Sequence, residues 1–308
     1  MQNIQPSVTA IIVTFNRKEL LLRCLNEVAN QTIKPEKILI VDNASKDGTV
    51  DFLKSKGWLS RSDTELLALR ENIGGAGGFE AGMRHALLQN QSWLWLMDDD
   101  GFPEKDCLEK LLYTASVENS EAISPIQADI NNHSLPAFPI RAQDGKLIKK
   151  LPFEQKNKNN YIPMEANLFN GVLISSVIVN KIGFPRPELF IRGDEVEYTE
   201  RMKKNKIKFG TAINCYFYHP SDRNERFKIL FGLINARDAK NDFKNYYLFR
   251  NKAFFFKEKK QLWLVPLDSI RYAYYFLIHK KFDIHGFLLW IKATRDGLNG
   301  KLGRHPIY

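Results

Sequence analysis

The chain has 308 residues, 44% of them hydrophobic and 26% charged, the composition of a folded globular protein with room for one large domain and an extension. Its three cysteines, Cys24, Cys107 and Cys215, are widely spaced with no Cys-x-x-Cys pair, which points to reduced thiols in a cytoplasmic protein. The net charge of +10 is unevenly placed: residues 223–308 hold 18 Lys and Arg against 7 Asp and Glu, giving +11, whereas residues 1–222 hold 27 against 28.

Met1 to Thr9 lacks the basic start and apolar centre of a signal peptide, and Leu262 to Ile278, the best candidate for a membrane span, is broken by Pro266, Asp268 and Arg271. The expected location is therefore the cytoplasm. Thr9 to Phe15 is an apolar, β-branched run and reads as a central strand. Lys18 to Gln31 then places Leu21, Leu22, Leu25 and Val28 on one helical face. Lys37–Asp42 is a second strand, Thr49 to Lys56 a short helix, and Glu65 to Arg70 a third strand. Strands alternating with helices in this way imply a parallel sheet with right-handed crossovers, whose ligand site lies beyond the C-terminal strand ends. Thr14, Asp42, Arg70 and Asp98 fall at such ends.

Asn72-Ile-Gly-Gly-Ala-Gly-Gly78 reads as a glycine-rich turn before a helix from Phe79 to Leu88. It permits close backbone approach to a ligand at a helix N-terminus. It matches the dinucleotide fingerprint only loosely and lacks the Lys-Ser/Thr of a P-loop. Trp93 to Met97 is a buried strand that runs straight into Asp98, Asp99 and Asp100. Three acids with no basic residue between them repel one another unless a cation sits among them. Asp98 and Asp100, two apart, can point the same way in an extended segment. Such hard oxygen ligands suit Mg²⁺ or Mn²⁺, ions that also hold phosphate oxygens.

Pro103 is expected to open a helix to about Val117, and Ala122 to Ile126 a further strand. Residues 129–166, with the Lys156–Asn160 stretch, read as an irregular insertion of the kind that often forms a binding loop. Phe169 to Ser175 is strand and Ser176 to Ile182 helix. Asp194 is expected to cap a helix from Glu195 to Lys204; acids there suit the helix dipole, and a carboxylate so placed could also act as a general base. Lys206 to Tyr218 reads as strand, ending at His219, which could complete a metal site. Residues 236–303 look helical. Tyr246, Tyr247, Phe249, Phe254, Phe255 and Phe256 alternate there with lysines and arginines, a pattern of membrane-surface helices or of a helical extension with a solvated basic face.

Several of these pieces occur together and in order: Val13–Arg17, Val41–Thr49, Asn72–Gly78, Asp98–Asp100, Gly193–Tyr198 and His219. In this the chain resembles the family 2 glycosyltransferases of the GT-A fold, and within them the bacterial galactofuranosyltransferases, with rhamnosyltransferases next. The Asn245–Asn251 and Asp296–Gly303 stretches also look like the tails of this group. The resemblance implies a GT-A (Rossmann-like) α/β fold, a mixed, mostly parallel sheet flanked by helices, over residues 1–222. A basic, aromatic-rich helical region would follow over 223–308. It implies inverting transfer of a sugar, galactofuranose from UDP-galactofuranose or else rhamnose from dTDP-rhamnose, onto a glycan or polyprenol-linked acceptor of the cell surface. Thr14 and Asp42 would lie against base and ribose. Asn16, Arg17, Arg70, Asn72, Gly77, Gly78 and Asp99 would complete the donor site. Asp98, Asp100 and His219 would hold Mn²⁺ or Mg²⁺. Asp194 or Glu195 would deprotonate the acceptor; relatives commonly carry Asp where Glu195 stands.

Two other classes compete. Sugar nucleotidyltransferases resemble a pattern with a glycine-rich loop, Arg and Lys after the first strand, where this chain has Phe15-Asn-Arg17. A nucleic-acid-binding protein would account for the basic tail but not for the acidic site, so no nucleic-acid partner is expected. The basic tail is expected instead to seat the protein on the anionic inner face of the cell membrane, and assembly into a homo-oligomer is left open.

Overall fold

Val8–Thr14, every residue buried, forms the central strand β1 of this computed structural model, which describes residues 7–152 and 160–308. Helix α1 (Lys18–Ala29) follows and buries Leu21, Leu25 and Val28 as its spacing predicts; Cys24 is buried with them, whereas Leu22 is only partly buried. Then come β2 (Lys37–Asp42), α2 (Thr49–Ser55), β3 (Thr64–Ala68), α3 (Gly74–Leu88) and β4 (Trp93–Asp98). Strands β1 to β4 pair in parallel in the order β3-β2-β1-β4. Thr14 aligns with Asp42, and Val13 with Asp98, so three of the expected strand-end residues share one edge of the sheet. Arg70 lies two residues past the end of β3 and is exposed.

The chain then adds β5 (Phe102–Pro103), α4 (Cys107–Glu118), β6 (Ala122–Asp129), β7 (Asn132–Pro136), β8 (Tyr161–Pro163), β9 (Asn170–Ser175), α5 (Ser176–Ile182), α6 (Asp194–Lys204) and β10 (Phe209–His219). The completed sheet is mixed and runs β3-β2-β1-β4-β9-β6-β10-β5, with β7 on β6 and β8 on β10. Side chains alternate across it. Ala10 and Ile12 of β1 pack with α1, and Ile11 and Val13 pack on the other side with Phe79 and Met83 of α3. Each Val or Ile side chain so removed from water contributes about 1.5–3 kcal/mol.

Three expectations are corrected here. The helix expected from Phe79 begins at Gly74, so Gly77 and Gly78 lie inside α3 rather than in a loop. The reason is close packing: a Cβ on Gly78 would come within 2.6 Å of Val13 Cγ1. Pro103 does not open a helix; Phe102 and Pro103 pair with Tyr218 and Phe217 of β10, and the helix waits until Cys107. The 129–166 segment is not wholly irregular, because β7 and β8 pair onto β6 and β10. All but the last residue of the Lys156–Asn160 stretch lies outside the described residues.

The described residues divide into two compact units. The first holds the residues up to Asn72, Gly77–Pro185 and Glu195–Ser221, and carries the large sheet. The second holds Ile73–Ala76, Arg186–Asp194 and Asp222–Tyr308. In it a hairpin, β11 (Arg226–Ile229) with β12 (Ile234–Arg237), precedes α7 (Asp242–Glu258). Helix α8 (Leu264–Ala273) runs on through a π-helical turn, Tyr274–His279, and is followed by α9 (Ile284–Leu298). Asn241 and Asp283 cap α7 and α9, each accepting a backbone N–H of the first turn. Tyr246, Tyr247 and Phe249 of α7 are buried with Tyr272, Phe276 and Trp290. This corrects the expectation that those three aromatics face a membrane: they are the core of their own unit. Among the described residues no helix is long and apolar enough to cross a membrane.

Candidate active site

The acids Asp98, Asp99 and Asp100 stand at the end of β4 because Trp93 to Met97 is an apolar strand buried between β1 and β9. The chain leaving them enters β5, whose pairing with β10 brings the last residue of that strand, His219, to the acids. His219 Nε2 lies 3.0 Å from Asp100 Oδ1. One ligand atom each from Asp98, Asp100 and His219 lie within 4.8 Å of one another, the one such group of three among the described residues.

The charges here are strongly unequal in behaviour. Burial, with Asp100 and Asp99 close by, pushes the Asp98 carboxyl up to about 8. Burial also raises Asp99, to about 6, against the pull of Arg17 and a hydrogen bond from Thr14. For Asp100 burial is outweighed by the hydrogen bond and charge of His219 and by Arg17, and its carboxyl is held down at about 2. His219 in turn is raised: burial opposes its charge, and Asp100 more than compensates. Nδ1 of His219 is 2.7 Å from the Pro220 carbonyl, an acceptor that keeps a proton on Nδ1. That leaves Nε2 as the atom offered to the acids, the arrangement a metal-bound imidazole requires. Carboxylate oxygens and one imidazole nitrogen fit a hard or borderline divalent ion.

The sequence places Arg17 in the donor site; the structure also pairs it with the acids. Arg17 Nη1 pairs with Asp99 Oδ1 at 3.1 Å and with Asp100 Oδ2 at 2.7 Å. The signal was available, because Arg17 follows β1 and the acids end β4, its parallel neighbour. Asp99, 3% exposed, also accepts the hydroxyl of Thr14 at 2.6 Å. Thr14 and Asp99 are thus buried partners of one another, and the Thr14 hydroxyl is used within the protein.

The other expected residues fall in two places. Asp42 is buried at the end of β2, and its Oδ1 accepts the Ser45 N–H at 3.0 Å. Asn16, with φ of 54°, accepts the Lys46 N–H on its side chain and donates its own N–H to Ser45, so it ties the loop after β1 to the loop after β2. Asn72, partly buried, precedes α3. Asp194 is buried and is the first residue of α6; Glu195, partly exposed, follows it.

Residues 9–176 match the Glycosyl transferase family 2 profile. The chain is similar to the galactofuranosyltransferase GlfT1 of Mycolicibacterium smegmatis, 32% identical over 303 residues that cover 96% of this chain and 98% of that protein. It is also similar to the low-salt glycan biosynthesis hexosyltransferase Agl10 of Haloferax volcanii, 23% identical over 82% of this chain and 78% of that one. Among solved structures, GalNAc-T7 with UDP, GalNAc and Mn²⁺ superimposes with a TM-score of 0.58 at 14% identity. The match covers 84% of this chain and about half, 51%, of that one. S. aureus TarS 1–349 gives 0.52 at 15%, covering 70% of this chain and 60% of that one. These two likenesses establish the fold, GT-A. By its profile match and its full-length relatives, this chain belongs to glycosyltransferase family 2.

Proposed function

We propose that this glycosyltransferase moves galactofuranose from UDP-galactofuranose to a glycan or polyprenol-linked acceptor of the cell surface, with inversion at the anomeric carbon. The observation that carries the donor assignment is the 32% identity to GlfT1 over nearly the whole of both chains. The convergence of Asp98, Asp100 and His219 supports the chemistry.

These three residues would hold Mn²⁺ or Mg²⁺. A divalent ion so held supplies charge that offsets the negative charge growing on the departing diphosphate. Arg17 and Thr14 keep Asp99 and Asp100 in place. The strand-end residues Asp42, Asn16 and Arg70, with Asn72 and the first turns of α3, are assigned to the nucleotide. A sugar hydroxyl is a poor nucleophile, so a carboxylate must take its proton, and the pair Asp194–Glu195 is assigned that role. Glu195 is favoured, because the second acid of this pair is the usual base in relatives.

The second unit is assigned the membrane surface, where a polyprenol-linked acceptor would lie. Trp263, Leu267, Ile270 and Ile278 recur at helical spacing along α8 and its π turn and are exposed, Trp263 by 66% and Ile270 by 67%. Lys281 and Phe282 follow, both exposed. Exposed apolar side chains beside lysines suit an anionic lipid interface.

Purified protein incubated with UDP-galactofuranose or dTDP-rhamnose and a lipid extract tests the donor assignment. Incorporation of galactofuranose is expected. Incorporation of rhamnose alone would overturn it.

A further inference from the structure

We propose that Arg250 and Asn251, which end the Asn245–Asn251 motif on α7, are positioning residues. They clamp the loop 188–193 and so fix where Asp194, the first residue of α6, is presented. This rests on the reading that the base lies in the Asp194–Glu195 pair.

The clamp is a set of side chains reading main-chain carbonyls. The Asn251 amide donates to the carbonyls of Leu189 and Ile191, each at 3.0 Å, and of Arg192 at 2.6 Å. Arg250, 1% exposed, donates to the Leu189 carbonyl at 2.9 Å, to the Gly303 carbonyl at 2.5 Å and to the Asn251 side-chain oxygen at 2.9 Å. Its guanidinium also lies 4.6 Å from the Tyr247 ring centre. These direct partners are carbonyls and an aromatic face, not carboxylates. Burying a guanidinium in this way is costly, and an apolar side chain would pack α7 with less penalty. The geometry therefore points to what the charge and amide hold.

What they hold is an unusual backbone. Phe190 and Arg192 have φ of 67° and 66°, and Gly193 of 100°. Two non-glycine residues in that region within three positions persist only where surrounding contacts over-determine them, and such strain gathers at functional sites. Every residue from Leu189 to Arg192 is held. The Phe190 carbonyl accepts the Ala76 N–H at 3.1 Å, and a Cβ on Gly74 would lie 2.1 Å from that same oxygen. Arg192 forms a two-pronged pair with Glu225, at 2.9 and 2.7 Å. Asn251 thus fixes the residues on both sides of Phe190, the loop carbonyl that reaches the first turn of α3. It also fixes Arg192, which stands two residues before Asp194.

The test compares full-length variants. Asn251→Asp keeps the shape but sets an oxygen against three carbonyls. Glu225→Gln weakens the Arg192 anchor near the surface and is less exposed to the risk of misfolding. Both should lower kcat for transfer, Asn251→Asp roughly 10–100-fold, with donor KM and UDP affinity within about twofold of the wild type. The acidic limb of the kcat–pH profile should also move, which a purely structural role would not cause. Asp194→Asn and Glu195→Gln are measured alongside. Unchanged kcat and pH profile in both clamp variants, while a carboxylate variant loses transfer, would overturn the clamp and leave the base assignment standing. Full transfer by both carboxylate variants would remove the base assignment and the clamp together. If Asn251→Asp fails to fold, the Glu225→Gln result decides.

Discussion

Nε2 of His219, the last residue of β10, lies 3.0 Å from Oδ1 of Asp100, two residues past the end of β4. The two residues are far apart in the chain, and the short pairing of Phe102 and Pro103 with β10 brings them together. The charge of Asp100 favours a proton on His219 and raises its imidazole against burial. A divalent ion would have to displace that proton and the one on Asp98, whose carboxyl is raised to about 8. Metal binding should therefore release protons, and affinity for Mn²⁺ should rise as pH is raised from about 6 to about 8. Titration with Mn²⁺ followed by electron paramagnetic resonance checks this. Affinity that is flat or falls across the range contradicts it. Asp100→Ala should bind no Mn²⁺ at this site and should lose donor turnover while remaining folded.

The base assignment predicts that one conservative change at the 194–195 pair separates binding from chemistry. Glu195→Gln should lower the transfer rate by about 10²–10⁴-fold while UDP affinity is kept. Asp194→Asn should do less to chemistry and more to stability, because Asp194 is buried at the start of α6. Steady-state kinetics together with UDP calorimetry distinguish the two. Loss of transfer in Asp194→Asn alone would reverse the assignment.

Much of the first unit is legible in the sequence because its signals are local. Apolar runs such as Val8–Thr14 and Lys37–Asp42 allow little besides strand, and the order of elements leaves few topologies. The acids and His219 are legible because each ends such a run. The rest was hidden because it depends on tertiary partners. The glycines of Gly74–Gly78 look like a loop, yet Gly78 is a contact surface for Val13. Phe102 and Pro103 look like a helix start until β10 is beside them. The α7 aromatics read as a membrane face only while α8 and α9 are absent; with them, Tyr246, Tyr247 and Phe249 are core. The hairpin β11–β12 lies in a segment expected to be largely helical, and among the described residues its strands have only each other to pair with.

Acid should weaken the second unit through Asp238. This buried carboxylate accepts the Asn245 amide at 2.8 Å, the Tyr275 hydroxyl at 2.8 Å and the Lys240 N–H at 2.7 Å, and pairs with Lys280 at 2.9 Å. Burial alone would raise its carboxyl, but these donors outweigh it and hold it below the usual value. A depressed folded-state value means the stabilising contribution is present above the unfolded value of about 3.9 and is lost as pH falls through the folded one. Asp238→Asn should therefore melt below the wild type at pH 7, and the gap should close as pH approaches about 3. Thermal melts across that range check it; a gap that widens in acid contradicts the sign.

Membrane seating is testable through the exposed face of α8. Anionic vesicles should sediment the protein at low salt, less so at high salt, since each basic residue near the surface contributes about 1 kcal/mol that salt screens. Replacing Trp263 and Ile270 with serine should weaken sedimentation without lowering the melting temperature, because both side chains are already exposed. Equal sedimentation by the double variant would remove this face from the contact.

The most direct measurement is UDP or dTDP release by the purified protein, with Mn²⁺, from UDP-galactofuranose, UDP-galactopyranose and dTDP-rhamnose in the presence of a lipid-linked glycan acceptor. The expected result is acceptor-dependent UDP release from UDP-galactofuranose above the other two, abolished by chelator and by Asp100→Ala. Preferential turnover of dTDP-rhamnose, or full activity in chelator, would contradict it.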